Sequence, residues 1–199
     1  MTESTDHRRS DARRNREAIL AAALEALATS PDASLNAIAR RAGVANATLY
    51  RHFPTREDLV LATYQQEVRK IVDAAGPLLR RQPPIDALRS WLEQLAGYAM
   101  TKQGLADALR KAGGPGRDLS SAETYTAVVA ALDRLLQANI AAGTLRSDLD
   151  AEDVILALAG LFQLDPTGDW RAQARRIYDI VLGGLQARAC RPGDRPHAW

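Results

Sequence analysis

Between Ser34 and Phe53 the chain reads SLNAIARRAGVANATLYRHF. In order, this is a short amphipathic helix, a glycine-containing turn, a second short helix that is polar on one side, and an aromatic anchor. That pattern predicts a helix-turn-helix whose second helix enters the DNA major groove. The surrounding charge agrees. From Ala33 to Arg56 there is no acidic residue, while Arg40, Arg41, Arg51 and Arg56 are present. Ahead of it, Arg8, Arg9, Arg13, Arg14 and Arg16 crowd a stretch opposed only by Asp11. An arginine run alone reads as a solvated helix face, but beside a helix-turn-helix it reads as a phosphate-facing surface. The net charge of +2 is unremarkable, so any affinity for nucleic acid depends on where the charge sits.

Other chemistry is poorly served. The histidines are His7, His52 and His197, and no phosphate loop, nucleophile elbow or metal-ligand spacing occurs. Acid pairs such as Glu57-Asp58 and Glu152-Asp153 fall at expected helix starts, where capping and the helix dipole account for them. The single cysteine, Cys190, excludes a disulfide or a cysteine-based metal site within one chain. No catalytic residue, metal or cofactor is therefore expected. The polar, arginine-rich N-terminus lacks the apolar core of a signal peptide, and no apolar run approaches membrane-spanning length. The expected location is cytoplasmic.

The elements that must position these residues are helical. With 199 residues, 46% hydrophobic and 25% charged, the chain has the composition of a folded all-α protein. Residues 1–10 are expected to form a disordered tail. A first helix is expected from Asp11 to Ala28, with Ile19, Leu20, Ala23, Leu24 and Leu27 on one face. Ser34 caps the next helix, whose buried face is Leu35, Ile38 and Ala39. Gly43 suits the turn, and a helix follows from Ala45 to His52 with Leu49 inward and Phe53 just beyond. Thr55 and Asp58 form a variant capping box for a helix from Arg56 to Ala75, which Gly76-Pro77 should stop. Further helices are expected at Ile85–Lys102, Leu105–Ala112, Leu119–Ala142, Ala151–Leu164 and Asp169–Arg188, with a loop at Gly113-Gly114-Pro115-Gly116. The domains are then a head over residues 11–54, a body over 55–190 and a tail over 191–199.

The matching run Ile19-Leu20-Ala21-Ala22-Ala23, Ser34-Leu35-Asn36-Ala37-Ile38-Ala39, Ala42-Gly43-Val44, Thr48-Leu49-Tyr50, Phe53 and Arg56-Glu57-Asp58-Leu59 closely resembles the DNA-binding domain of the TetR family. The likeness covers residues 12–62. It implies an N-terminal three-helix DNA-binding domain and a C-terminal helical domain for ligand binding and dimerisation. It also implies phosphate contacts at Ser34, Thr48, Tyr50, His52 and Arg56, and base reading by Asn46 and Ala47 with Arg51 contributing. The chemistry agrees: asparagine can pair bidentately with adenine, and alanine can meet a thymine methyl. Where many family members carry lysine this chain has Arg56, which keeps a phosphate role open.

The resemblance further implies a repressor released from a palindromic operator by a small-molecule effector. Activation, or regulation without an inducer, remains open, as does a helical protein-interaction module. Apolar and aromatic residues on the body helices make Trp91, Leu95, Tyr98, Met100, Leu105, Leu109, Tyr125, Leu132 and Phe162 the pocket candidates. The segment from Val154 to Phe162 is apolar all round, so it is buried on more than one side, within its own core or against a second copy. A homodimer is the preferred reading, with Ile155, Ala159, Phe162, Ile177, Ile180, Val181, Gly184 and Leu185 at its interface.

Overall fold

The computed structural model describes residues 3–111 and 122–186. Eight α-helices account for most of these residues: α1 (Glu3–Thr29), α2 (Leu35–Arg41), α3 (Asn46–His52), α4 (Arg56–Arg81), α5 (Pro84–Lys111), α6 (Ala122–Ala141), α7 (Ala151–Ala157) and α8 (Trp170–Leu185). A 3₁₀ turn at Leu158–Gln163 continues α7. No strand is present among the described residues, and none of their helices is long and apolar enough to cross a membrane. The side chain of Leu109, the loop around Gly113, Cys190, His197 and the tail over 191–199 lie outside the described residues.

Helices α1 to α3 form the head, α5 to α8 the body, and α4 belongs to both. Ile19, Leu20, Ala23 and Leu27 of α1 meet Ile38 and Leu49 in a core that runs on without a break through Leu59, Val60, Val68 and Ile71 of α4. It continues through Trp91, Leu92 and Leu95 of α5 to Leu132, Leu135 and Leu136 of α6. Trp91 is fully buried and donates its indole N–H to the Ile71 carbonyl (2.9 Å), so even its one polar atom is satisfied inside the core.

Three expected boundaries are corrected. α1 starts at Glu3 rather than Asp11, which makes the N-terminal segment helical: nothing between them breaks a helix, and extension is cheaper than nucleation. α4 does not stop at Gly76-Pro77 but passes through both to Arg81. A proline disfavours helix in the residue before it partly through that residue's Cβ, and Gly76 has none. The glycine is also buried, and a Cβ there would come within 3.3 Å of the Arg134 guanidinium of α6. Finally, the two helices expected at Ile85–Lys102 and Leu105–Ala112 are the single helix α5, because Gly104 weakens a helix without ending it.

The far end of the body is framed by one buried amide. Asn139 of α6 is fully buried and donates to the Pro84 and Leu135 carbonyls (2.8 Å each), while its own oxygen accepts from the Thr144 hydroxyl (2.8 Å). It thereby ties the start of α5 to α6 and to the turn at Gly143, whose φ of 71° ends α6. Beyond that turn, Leu145 pairs with Gln186 at the end of α8. Asn139→Leu keeps the volume but removes the side-chain bonds to the Pro84 carbonyl and the Thr144 hydroxyl, which keeps only the backbone carbonyl of residue 139 (3.0 Å). A loss of about 1–3 kcal/mol in urea unfolding is expected, and a neutral result would remove Asn139 from this framing role.

Candidate nucleic-acid interface and internal cavity

The head places its second short helix outward. Leu49 and Phe53 are anchored in the core, at 0% and 2% exposure. Gly43, with φ of 69°, makes the turn that sets α3 across α2. One turn of α3 faces inward at Leu49, so Asn46, Ala47, Tyr50 and Arg51 are left exposed, and Thr48 and His52 are half-buried. Tyr50 is 45% exposed and is no core aromatic. Ser34 caps α2: its Oγ accepts from the Ala37 N–H (3.2 Å), leaving the hydroxyl hydrogen for an outside acceptor.

The arginines of the acid-free window, and Arg16 ahead of it, divide by what their guanidinium groups already hold. Arg41 donates through Nε (3.0 Å) and Nη2 (2.8 Å) to Glu25 of α1, which pins α2 in place. Arg16 lies 4.8 Å over the Phe53 ring. Arg56, expected on the DNA backbone, is half-buried and donates instead to the carbonyls of Pro31 and Ala33, in the loop before α2. Its position one residue into α4 makes it a clasp between that helix and the α1–α2 loop. Arg40 and Arg51 are exposed and make no ion pair among the described residues.

His52 is also turned inward. Its Nε2 is buried with no hydrogen-bond partner in the protein. Burial first, then the Arg51 and Arg16 charges, hold its pKa below the ordinary 6.5. The ring is therefore neutral at pH 7, and only its Nδ1 edge is left for an outside partner.

In the body, a cavity of about 210 Å³ opens between α4, α5, α6 and α7. Tyr64, Leu95, Tyr98, Tyr125, Val128, Leu158 and Phe162 line it, with Lys102 beside them. Tyr98 donates its hydroxyl to that of Tyr64 (2.9 Å), and the Phe162 ring stands edge-on to Tyr98 at 6.3 Å. Burial and this hydrogen bond push the Tyr98 pKa well up. Lys102 Nζ lies 5.3 Å over the Phe162 ring. Four of the expected pocket residues thus meet here: Leu95, Tyr98, Tyr125 and Phe162.

Four others do not. Trp91 sits two turns before Tyr98, where α4 closes on α5, and Leu132 lies one turn beyond Val128. Both are core residues. Met100 and Leu105 project from the other side of α5, toward the head. Tyr64 went unnoticed in the sequence, although the row Val60, Tyr64, Val68 on α4 points from the head core into the body. Of the expected interface residues, Ile155, Ala159 and Phe162 line the cavity, as does Leu156 at its mouth. Ala159, Gly184 and Ile180 stay exposed, Ile180 at 75%, and Leu156 joins them at 64%. Ile177, Val181 and Leu185 are half-buried along the edge of the same region.

Comparison with known proteins covers both halves. A family model described as bacterial regulatory proteins, tetR family, matches residues 19–63. A second, the C-terminal domain of SbtR-like transcriptional regulators, matches residues 83–187. Among solved structures, a TetR transcriptional regulator of Streptomyces coelicolor superposes with a TM-score of 0.79 at 43% identity, over 87% of this chain and 99% of that one. A TetR regulatory protein of Mycobacterium vanbaalenii gives 0.73 at 35% identity, over 90% and 99%. The transcriptional repressor LfrR of Mycolicibacterium smegmatis is 39% identical over 71 residues, 36% of this chain and 35% of that protein. The repressor KstR of Rhodococcus jostii is 29% identical over 153 residues, 77% of this chain and 61% of that protein. The chain therefore spans less than two thirds of either curated relative.

Two outcomes follow from the side-chain assignments. Arg56→Ala is expected to lower the melting temperature without changing the slope of log affinity against log salt on a duplex. Arg51→Ala should reduce that slope by about 0.9, one phosphate's share. A reduced slope for Arg56→Ala would return it to the backbone contacts. For His52 the folded pKa lies below the unfolded one, so its contribution to stability is complete above pH 6.5 and declines on acidification toward the folded value. His52→Gln should flatten the fall in stability between pH 7 and 5, measured by urea unfolding at each pH.

Proposed function

The chain belongs to the TetR family of bacterial regulatory proteins, and on that premise we propose that it is a DNA-binding transcriptional repressor, acting as a homodimer on a palindromic operator and released by a small-molecule effector. The observation that carries this reading is α3, held by Leu49 and Phe53 with its polar face turned out and no acidic residue within it. On that face Asn46 and Ala47 read bases. Ser34, Thr48 and Tyr50 hold phosphate oxygens, with Arg51 and the exposed Arg40 supplying charge. Both curated relatives carry the word repressor in their names, which supports repression over activation. No catalytic role is assigned to any residue, and the described residues hold no cluster of three or more His, Cys, Asp or Glu side chains suited to a metal.

Pairing of two chains is supported by the exposed apolar side chain of Ile180 on α8, and by Leu156 on α7, which is exposed at the mouth of the cavity. Exposed large apolar residues can mark an interaction surface, and a second copy would supply the same residues by symmetry. The effector site is the body cavity, apolar and ringed by aromatic side chains. Two recognition helices must enter grooves about 34–36 Å apart, so a ligand that favours a different head spacing releases the operator in proportion to its preference for that state.

The test is selection of binding sites from a random duplex pool by purified protein, followed by titration of the winner across salt concentrations. A palindromic consensus with a steep salt slope is expected, and enrichment of no consensus would overturn the reading. Asn46→Ala should change which duplexes are preferred, costing about 1–3 kcal/mol at the affected base pair. Ile180→Glu should yield monomers in sedimentation and weaken operator binding at least tenfold. A dimer that survives this substitution would move the interface elsewhere.

A further inference from the structure

On the opposite side of α5 from the body cavity lies a second recess, between head and body. Its volume is about 460 Å³, roughly twice that of the cavity and within the range of small-molecule sites. Leu27 of α1 and Pro31 form the head wall, Met100 of α5 the floor, and Trp170 and Arg171 of α8 the far side.

Gly97 and Gly104 also face it, seven residues apart on one side of α5. Glycine inside a helix is unfavourable relative to alanine. Neither residue has a positive φ, and neither has a neighbour within 4 Å of the place a Cβ would take. Backbone geometry and packing therefore require glycine at neither position, and the absence of both side chains leaves the recess open along α5.

The polar groups on the walls are mostly donors. Trp170 contributes an indole N–H and Thr101 a hydroxyl, and the Arg171 guanidinium lies 4.3 Å over the Trp170 ring. The amide N–H of Gln103 is committed to the carbonyls of Phe162 (2.8 Å) and Leu164 (3.3 Å). Among the described residues the one carboxylate on the walls, Asp107, already has an interaction of its own.

We propose that this recess is a second effector site, distinct from the body cavity, that takes a flat apolar anion such as an aromatic carboxylate or sulfonate, and that its occupant alters the tilt of the head. Apolar walls hold the ring system, and Arg171 and Trp170 meet the acidic group. The link to the head runs through Pro31, which is both a wall of the recess and, through its carbonyl, a partner of Arg56. A molecule lodged against Pro31 acts on the clasp between α4 and the loop that leads to Ser34. DNA and the occupant then change each other's affinity by the same factor. This coupling rests on the DNA-binding reading above, while the site itself does not.

The probe is anilinonaphthalene sulfonate, an aromatic anion whose fluorescence rises on leaving water, titrated into the full chain without DNA. Saturable binding is expected, with energy transfer from indole to probe that diminishes in Trp170→Phe. Gly104→Leu, which fills the recess, should weaken binding at least tenfold without lowering the melting temperature, and Val128→Phe, which fills the body cavity, should leave it unchanged. Should Gly104→Leu fail to fold, Arg171→Gln is the substitute, expected to weaken the anion at low salt. Undiminished binding in the recess variants, or loss only in Val128→Phe, overturns the site.

With the selected duplex, saturating probe should lower the affinity of the wild type at least threefold and leave Gly104→Leu unaffected. An unchanged wild-type affinity overturns the coupling. A chain that binds no duplex fails the earlier reading, and the titration without DNA still decides the site.

Discussion

The structure depends on one helix being buried in two places at once. Leu59 and Val60 at the start of α4 close the head core, and Tyr64, Val68, Ile71 and Ala75 further along are buried in the body. Its start is fixed by the reciprocal capping of Thr55 and Asp58 and by Arg56, which grips the loop before α2. A 26-residue helix is about 39 Å long at 1.5 Å per residue. A pivot of roughly 5° over that length displaces its end by about 3 Å. The head therefore cannot tilt on the body without moving α4, and a displacement of α4 at Tyr64, about two turns from its start, is carried to the head.

The head was legible in the sequence because its determinants are local. Ser34, Gly43, Thr55 and Asp58 do in the structure what their types and spacing announce: cap, turn and capping box. The body was less legible where tertiary context overrides a local rule. Gly76-Pro77 looks like a stop, yet the helix continues because Gly76 removes the Cβ that would clash and lies against α6. The pocket was only half legible for a different reason. Apolar periodicity shows which residues face inward, but α5 is enclosed on two sides, and periodicity cannot assign Met100 and Leu105 to one side and Leu95 and Tyr98 to the other.

Charge tells a similar story. Composition marks the Ala33–Arg56 window as basic, but residue type does not say whether a guanidinium faces solvent or its own chain. Arg41 is paired with a glutamate sixteen positions away, and Arg56 with carbonyls more than twenty positions away. These distant partners exist only once α1, α2 and α4 have assembled. The effect is to leave the solvent-facing charge of this window to fewer residues, Arg40 and Arg51 among them, while the others hold the head together. A rigid head matters here because α2 and α3 are seven residues each, too short to hold their form without packing.

The body is not equally stiff around its cavity. Asn139, the Leu145–Gln186 pairing and the Arg89–Asp179 ion pair tie α5, α6 and α8 together at the far end. The wall opposite Tyr64 is the seven-residue α7 and the 3₁₀ turn after it, a form with poorer hydrogen-bond geometry than an α-helix. Gln103 holds that turn to α5 through the carbonyls of Phe162 and Leu164. A molecule entering between Tyr98 and Phe162 therefore meets three kinds of resistance. These are the α5–α6 frame, the Phe162 turn and α4. Tyr64 lies between the first two, and because it is part of α4, whatever displacement it takes is delivered to the head. The wall with the poorer hydrogen-bond geometry thus faces Tyr64, which sits on the helix that follows α3 directly in the chain.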